Sequence, residues 1–259
     1  MADTSGWRAL LARLLEKGKT VFDNSTVLED PKGTKDPKVW ALALLARTIG
    51  NVEGALVLLD SGHVVEARTL VRCCYENFFC AAALVKIGDA FIKTMELDDA
   101  ASRKKQAKGL LDWAGRQNQE LEFKDKLTEF AEAIEKQHPK ASFLNQKKAA
   151  EDGTIADGYI FYNVLSNDAA HPSATSLSRH ISWEGTGEDA EWTISASPVD
   201  DPDEVDETLE LACSVMLGVA VAINDAVGGT ETGETLFTLS DDFKALSAAN
   251  KGARDGKVS

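Results

Sequence analysis

Two long helical patterns joined by a Ser-Gly turn constrain the fold of this chain more than any other feature. Apolar residues dominate positions 39–59, and in residues 63–87 apolar side chains recur every three or four positions along one side. Ser61 and Gly62 break the chain between the two patterns. Because two helices joined so tightly fold back on each other, the sequence predicts an antiparallel helical hairpin at the centre of the protein.

The rest of the chain extends this pattern into a mainly all-α bundle. Further helices are predicted at residues 7–22, within 89–138, at 155–167, from Pro172 toward Arg179, at 200–223 and at 239–249. Within 89–138 we expect inward faces that carry Trp113, Leu121, Phe123, Leu127, Phe130 and Ile134. A single helical domain covering residues 1–259, with about six to eight helices, is the predicted architecture.

A small β-hairpin is the predicted exception to the helical pattern. Ile-Ser-Trp at 181–183 and Trp-Thr-Ile at 192–194 alternate apolar and polar residues around an acidic connector that contains glycine. We therefore predict a β-hairpin insertion at residues 180–198. Because two strands alone are only marginally stable, we expect its tryptophans to pack on the helical body. Residues 250–259 are predicted to form a mobile tail.

The negative charge is concentrated late in the chain. The net charge is -14, yet residues 180–243 contain 16 Asp and Glu with no Lys or Arg, whereas residues 1–179 sum to -1. This distribution excludes a protein that coats nucleic acid broadly, and it argues against an electrostatic membrane anchor. One hypothesis is therefore a non-enzymatic interaction protein whose acidic region, residues 180–243, docks a basic protein partner. A homo-oligomer remains open.

The ends and the cysteines favour a soluble cytoplasmic protein without a cofactor. The amino terminus is amphipathic and lacks the apolar run of a signal peptide. The longest uncharged apolar run, residues 211–223, is shorter than the ~18 residues of a membrane span. The four cysteines form no Cys-x-x-Cys pair, so we predict reduced thiols, no metal site and no cofactor.

A ladder of charged residues interrupts the apolar helix at 63–87. Arg68, Arg72 and Glu76 are spaced by four, so they occupy adjacent turns of one helix face. Tyr162 and Ser166 are also spaced by four, and His171 follows just beyond the end of that second helix. We expect these six side chains to meet between two packed helices.

Two interpretations of this cluster stay open. In the leading one, it is a pocket for an anionic small ligand or a nucleotide-like group. Arg68 and Arg72 would hold the anion, Glu76 would orient Arg72, and Tyr162 and Ser166 would donate hydrogen bonds. In the alternative, Arg72 and Glu76 form a buried salt bridge that fixes how the helices pack, and their neighbours satisfy its remaining hydrogen bonds.

The segments ARTLVRCCYE and YNVLSNDAAHPS resemble a broad family of uncharacterised, mostly bacterial helical proteins. In that family, a helix with an Arg-x-x-x-Glu step precedes a Tyr-x-x-x-Ser and His-Pro-Ser segment. The resemblance covers about residues 39–180. It implies an all-helical core and the same six candidate residues, without specifying a reaction.

The family is in turn distantly similar to the HEPN group of defence and toxin proteins, many of which are ribonucleases. Their usual Arg, followed four to six residues later by His, is absent from this chain. A third hypothesis is nevertheless a metal-independent ribonuclease in a defence or toxin system. In that reading His171 moves a proton, Arg72 stabilises the developing charge and Glu76 belongs to the catalytic set.

Overall fold

The computed structural model describes residues 4–25, 36–117, 122–185, 191–198 and 202–255. Within them lie ten α-helices, one π-helical segment at Ser166–Ala170, and strands β1 (Ile181–Glu184) and β2 (Glu191–Ile194). The helices are α1 (Thr4–Asn24), α2 (Pro37–Asp60), α3 (Val64–Ile87), α4 (Asp89–Arg116), α5 (Lys124–Gln137), α6 (Gln146–Asp152), α7 (Gly158–Leu165), α8 (Ala174–Ser178), α9 (Pro202–Ala226) and α10 (Gly233–Asp255). The predicted all-α class with a small β-hairpin is confirmed.

The α2–α3 hairpin forms the centre of the core, as the sequence predicts. Asp36 caps α2 by accepting a hydrogen bond from the backbone N–H of Lys38 at 2.8 Å, and Pro37 occupies the first turn. Helix α9 packs against α1, α2 and α3. Gly18 of α1 is buried and lies against the end of the Met216 side chain of α9.

Residues 146–178 form more and shorter helical elements than the sequence pattern predicts. The helix predicted at 155–167 is α7 followed by the π-helical segment, and α6 precedes it. Ser173 caps α8 by accepting a hydrogen bond from the N–H of Ser176 at 3.1 Å. These short elements account for a helix number above the predicted range, because each turn allows the chain to follow the surface of α3.

The inward faces predicted for residues 89–138 are partly wrong. Trp113, Phe123 and Phe130 are 43%, 47% and 44% exposed, whereas Ile134 is buried, and Leu121 lies outside the described residues. Helices α4 and α5 pack on each other, and α4 reaches the core through Phe91 and Ile92 near its start. Because a pair of helices that leaves the core covers only one narrow face of each, the larger aromatic residues remain in contact with solvent.

The hairpin is also placed differently from the expectation. Trp183 and Trp192 are 68% and 58% exposed, so the prediction that the tryptophans pack on the helical body is wrong. At the base of the ribbon the Ser195 N–H donates to the His180 carbonyl at 2.9 Å, which closes the hairpin, and β1 contacts α8. The strand register places both tryptophans on one face of the ribbon. Within the described residues, no helix covers that face.

Two helices of the described chain have the length and composition that a membrane span requires. The helices Pro37–Asp60 and Asp203–Ala226 are long and apolar enough to cross a membrane by length and composition, although core helices of soluble proteins pass the same test. Cytoplasmic localisation therefore stays a prediction.

Helix α10 continues to Asp255, inside the segment predicted to be a mobile tail, and residues 256–259 lie outside the described residues.

Candidate functional site

Three elements bring the predicted polar residues together. Helix α3 supplies Arg68 and Arg72 one turn apart, and the end of α7 with the π-helical segment lies across them. The side chains of Ser166 and Asp168, which start that segment, are buried against α3. A π-helical turn is rare and often occurs at functional sites, so this junction is the first candidate site.

Arg72 is the centre of the first group of contacts. Its Nε donates to Ser166 Oγ at 2.8 Å, and its Nη2 donates to the Tyr162 hydroxyl at 2.9 Å and lies 3.1 Å from Glu76 Oε1. The Tyr162 hydroxyl in turn donates to Glu76 Oε1 at 3.2 Å. The guanidinium also lies 4.9 Å from the centre of the Tyr162 ring, in a cation–π contact. Four of the six predicted residues therefore meet here.

Arg68 belongs to a second group of contacts, one turn earlier on α3. Its Nε donates to Asp168 Oδ2 at 2.6 Å, and its Nη1 donates to Glu207 Oε2 at 2.9 Å and to Thr208 Oγ1 at 3.3 Å. The Arg68 side chain is only 3% exposed. A charge buried this deeply requires paired partners, because an unpaired buried ion is strongly destabilising.

Asp168 extends this group to the base of the hairpin. Its Oδ1 accepts from Arg179 Nε at 2.9 Å and from Arg179 Nη2 at 2.5 Å. Arg179 also donates to both oxygens of Glu204, at 2.7 Å and 2.6 Å. The two-pronged contact suits the planar guanidinium group. Arg68, Asp168, Arg179, Glu204 and Glu207, which we call the arginine network, thus join α3, the π-helical segment, the end of α8 and α9.

Carboxylates outnumber the guanidinium groups in these two groups of contacts. Three guanidinium groups, those of Arg68, Arg72 and Arg179, face four carboxylates. An anion that binds Arg68 or Arg179 must therefore compete with carboxylates that are already in place. The geometry favours a structural role for the arginine network, the alternative that the sequence left open for the Arg72 and Glu76 pair.

The titration properties of the site follow from burial and pairing. Hydrogen bonds from Arg179 to Glu204 raise the pKa of the Arg179 guanidinium, so this group is charged at every accessible pH. Burial raises the pKa of the Tyr162 phenol, and the nearby Arg72 charge only partly opposes that shift. The phenol is therefore neutral at physiological pH and available as a hydrogen-bond donor.

His171 does not join the cluster. Its side chain is exposed, and it forms no hydrogen bond or ion pair with another described residue. The contact between Arg72 and His171 that the ribonuclease hypothesis requires is absent from the described part of the chain. The backbone of His171 has a local role instead, since its carbonyl accepts from Ser176 Oγ at 2.7 Å next to α8.

Sequence reasoning missed most of the arginine network. Asp168 lies inside the segment that carries the resemblance, two residues after Ser166, but it shares no obvious spacing with Arg68. Glu204 and Glu207 lie in the first turns of α9, within the helix predicted at 200–223, and no sequence spacing links them to the arginines. One signal was available for Arg179, which is the only Lys or Arg between Lys148 and Lys244. A lone cation in an acidic stretch is expected to find carboxylate partners.

The side chains that could ligate a metal are the described histidines, cysteines and acidic residues, and three of the four cysteines are buried. Among the described residues, no group of three or more His, Cys, Asp and Glu side chains is arranged to hold a metal ion. The four cysteines are free, as predicted. Burial raises the pKa of Cys80 to about 12 and also raises the pKa of Cys74 and Cys213, so these thiols are protonated and unreactive.

The hairpin presents a second candidate site outside the core. Its register pairs Ile181 with Ile194 and Trp183 with Trp192, so these four residues share one face of the ribbon. They are 37%, 69%, 68% and 58% exposed, respectively. We call this surface the apolar hairpin face. The opposite face carries Ser182 paired with Thr193 and Glu184 paired with Glu191.

Fold and site together define a helical protein with a buried arginine network at the base of a projecting hairpin. A model of a family of unknown function (DUF5677) matches residues 38–189, more than half of the chain. The chain belongs to this family, and the predicted membership of an uncharacterised helical family is confirmed. The similarity to HEPN proteins finds no support. No curated protein and no solved structure matches the chain.

Proposed function

We propose that this protein is a non-enzymatic interaction protein that binds a basic partner through its hairpin. The observation that carries the proposal is the apolar hairpin face, where two tryptophans paired across the strands are more than half exposed. Exposed tryptophans on one face of a ribbon are costly in water and are enriched at the centres of protein interfaces.

The surrounding charge indicates the chemistry of the partner. Glu184 and Glu191 form the next cross-strand pair after Trp183–Trp192, on the opposite face of the ribbon, and residues 180–243 contain no Lys or Arg. Basic side chains on the partner would be attracted to this end of the ribbon, and Lys or Arg can also stack on the exposed indole rings. A second copy of the hairpin would bring like charges together, which disfavours self-association through this surface.

The size of the surface favours a short segment as the partner. Four exposed side chains offer an apolar patch of a few hundred Å², the size of functional patches on monomers. A stable interface between folded domains needs about 800 Å² from each partner. A short apolar and basic segment of another protein is therefore a better fit than a whole domain.

The arginine network supports this function by holding the base of the hairpin. Arg179 lies two residues before β1, and its contacts to Asp168 and Glu204 tie that point to the π-helical segment and to α9. A binding surface on a fixed base loses less conformational entropy when the partner docks. In this proposal the buried charges position the ribbon, and the ribbon makes the contacts.

The proposal is tested with short synthetic peptides that combine Lys and Val, titrated into the protein and followed by fluorescence anisotropy of a label on the peptide. We expect binding that weakens as salt rises, because the contact includes exposed charges. The double substitution Trp183→Ala and Trp192→Ala should lower the affinity at least about tenfold, which corresponds to ~1.4 kcal/mol.

The matched control is Trp113→Ala, which removes a 43% exposed tryptophan from α4, far along the chain from the hairpin. This variant should bind the peptides as the wild type does. Equal losses from Trp113→Ala and from the hairpin variant would contradict the proposal. So would binding of peptides in which Glu replaces Lys.

A second candidate function, binding of an anionic group at Arg72, is favoured by one observation. The Arg72 side chain is 16% exposed, and its Nη1 forms no hydrogen bond with a described residue. Ser166 Oγ accepts from Arg72 Nε, and its hydroxyl also interacts with the Tyr162 side chain, so Arg72 Nη1 is the donor that remains for a ligand. Arg72 Nη1 would hold one oxygen of an anionic group at the surface end of the cluster, without displacing the partners of Arg68.

Inorganic phosphate and AMP are suitable probes for this candidate. Backbone amide chemical shifts near Ser166 should change on titration, and Arg72→Lys should abolish the change because Lys lacks the forked donors. Arg47→Lys, on the exposed surface of α2, is the matched control. Shift changes that persist in Arg72→Lys would argue against this site.

A further inference from the structure

We infer that the partner docks as an added β-strand on the outer edge of β2, with apolar and basic residues alternating along it. This inference rests on the proposed function and specifies its partner. A two-stranded ribbon is marginal on its own and leaves unpaired backbone groups along both edges. Peptides that add a strand to such an edge gain backbone hydrogen bonds and use alternate side chains for specificity.

The register identifies which backbone groups point outward. Ser195 donates its N–H to the His180 carbonyl, so the pair of these residues is hydrogen-bonded. Because hydrogen-bonded and non-hydrogen-bonded pairs alternate in an antiparallel ladder, the Trp183–Trp192 and Ile181–Ile194 pairs are non-hydrogen-bonded. The N–H and C=O groups of Trp192 and Ile194 therefore face away from β1, along the free edge of β2.

The two edges differ in access. All four residues of β2 are exposed, whereas β1 contacts α8 near its start and has a half-buried residue, Ser182. An incoming strand can therefore reach the full length of β2 more readily than that of β1. Within the described residues, no hydrogen bond from outside the ribbon occupies the outward backbone groups of Trp192 and Ile194.

The two faces then determine the sequence of the added strand. Residues opposite Trp192 and Ile194 would extend the apolar hairpin face, and residues opposite Glu191 and Thr193 would lie on the other side. A Lys or Arg opposite Glu191 would pair with that carboxylate, and Glu184 lies one strand further across the same face. The partner is accordingly an extended segment in which apolar residues alternate with Lys or Arg.

Three synthetic peptides of about eight residues test this inference. The first alternates Lys and Val, the second has the same composition with all Lys at one end, and the third is the alternating peptide with alternate backbone amides methylated. We expect the first peptide to bind at least about tenfold more tightly than the second and the third, because only the first can form both the backbone ladder and the two-sided contact.

Amide hydrogen exchange of the full-length protein locates the docking edge. In the free protein the amides of Trp192 and Ile194 should exchange fast, and the alternating peptide should slow both of them several-fold. Protection confined to Ile181 and Trp183 would overturn the assignment to β2. This measurement uses the wild-type protein, so it does not depend on the folding of a variant.

The possible failures are distinguishable. If the alternating and the block peptides bind equally and methylation has no effect, the added strand is wrong although the proposed interaction function stands. If no Lys and Val peptide binds, both proposals fall. Binding to vesicles of neutral phosphatidylcholine, with none to the peptides, would also overturn both and would identify the tryptophans as a membrane contact.

Discussion

The arginine network and the apolar hairpin face meet at Arg179, two residues before β1, but they follow opposite rules. In the network, buried charges are paired inside the molecule. Asp168, for example, forms ion pairs with Arg68 and Arg179. On the hairpin, large apolar side chains such as Trp183 have no cover in the described structure. Charges are expected outside and tryptophans inside, so both regions depart from the usual distribution.

The difference between the two regions separates stability from binding. A group that is buried and paired affects the free energy of unfolding when it is removed, because its partner is left unsatisfied. A group that is exposed and unpartnered contributes little to unfolding and is free to contribute to association. Substitutions in the two regions should therefore affect different measurements.

The largest effect on stability is expected from Asp168→Ala. This change leaves Arg68 and Arg179 without their shared carboxylate, and it should lower the free energy of unfolding by about 3–5 kcal/mol. Urea denaturation followed by circular dichroism measures the loss. The control is Asp157→Ala, an exposed aspartate before α7 whose side chain makes no capping hydrogen bond. Equal stabilities of the two variants would show that the network is not structural.

Arg179→Lys should have the next largest effect. Lysine retains the charge but cannot make the two-pronged contacts to Asp168 and Glu204, so we expect a loss of roughly 1.5–3 kcal/mol. Arg13→Lys is the control, since its pair with Asp242 is half exposed and such pairs contribute about 0–1 kcal/mol. A loss in Arg179→Lys no greater than in the control would weaken the link between the network and the hairpin base.

Tyr162→Phe should lower stability by only about 0.5–1.5 kcal/mol, through loss of the hydroxyl contacts to Arg72 and Glu76. Tyr159→Phe is the control, because Tyr159 stacks on Tyr162 but its hydroxyl has no described hydrogen bond.

The wild type should also lose stability as pH rises above 10.0, since burial raises the pKa of Tyr162 and the folded state favours the neutral phenol. Tyr162→Phe should reduce that loss, and an identical alkaline profile would contradict the pKa direction.

Trp183→Ala should change stability least, within about 0.5 kcal/mol, because the indole is mostly in solvent already. Its contrast is Trp7→Ala in α1, where the side chain is 2% exposed and about 3–5 kcal/mol should be lost. Thermal denaturation compares the two variants. A large loss in Trp183→Ala would mean that the hairpin face packs on the body, and it would remove the basis for the proposed binding surface.

Local patterns in the sequence predicted the elements well where one segment contains all of the necessary information. The α2–α3 pairing and the helix predicted at 200–223 each depend on residues close together in the chain. The hairpin itself was predicted from alternation alone. The π-helical segment was not, because its hydrogen bonds differ from those of an α-helix without a distinctive residue pattern.

The candidate site was predicted in part for the same reason. The ladder on α3 and the Tyr162 and Ser166 pair have helical spacing, and the structure brings Arg72, Glu76, Tyr162 and Ser166 together. Whether they act in binding stays a prediction. Asp168 and Glu207 lie 100 and 139 residues from Arg68, and no spacing rule connects charges over such distances. The exposure of the hairpin face depends on where the other elements lie in space, and that placement is not visible in a local sequence pattern.

By itself, the sequence determined the all-helical class, the central helix pair, the hairpin and the location of the acidic charge, because periodicity and composition act locally. Only the tertiary structure decided how each charge is used. It paired Glu204 and Glu207 with arginines, left Glu184 and Glu191 next to exposed tryptophans, and left the His171 side chain exposed without a hydrogen bond to Arg72. The physical reason is that a charge or an indole acquires its role from its neighbours in space, and those neighbours come from distant parts of the chain.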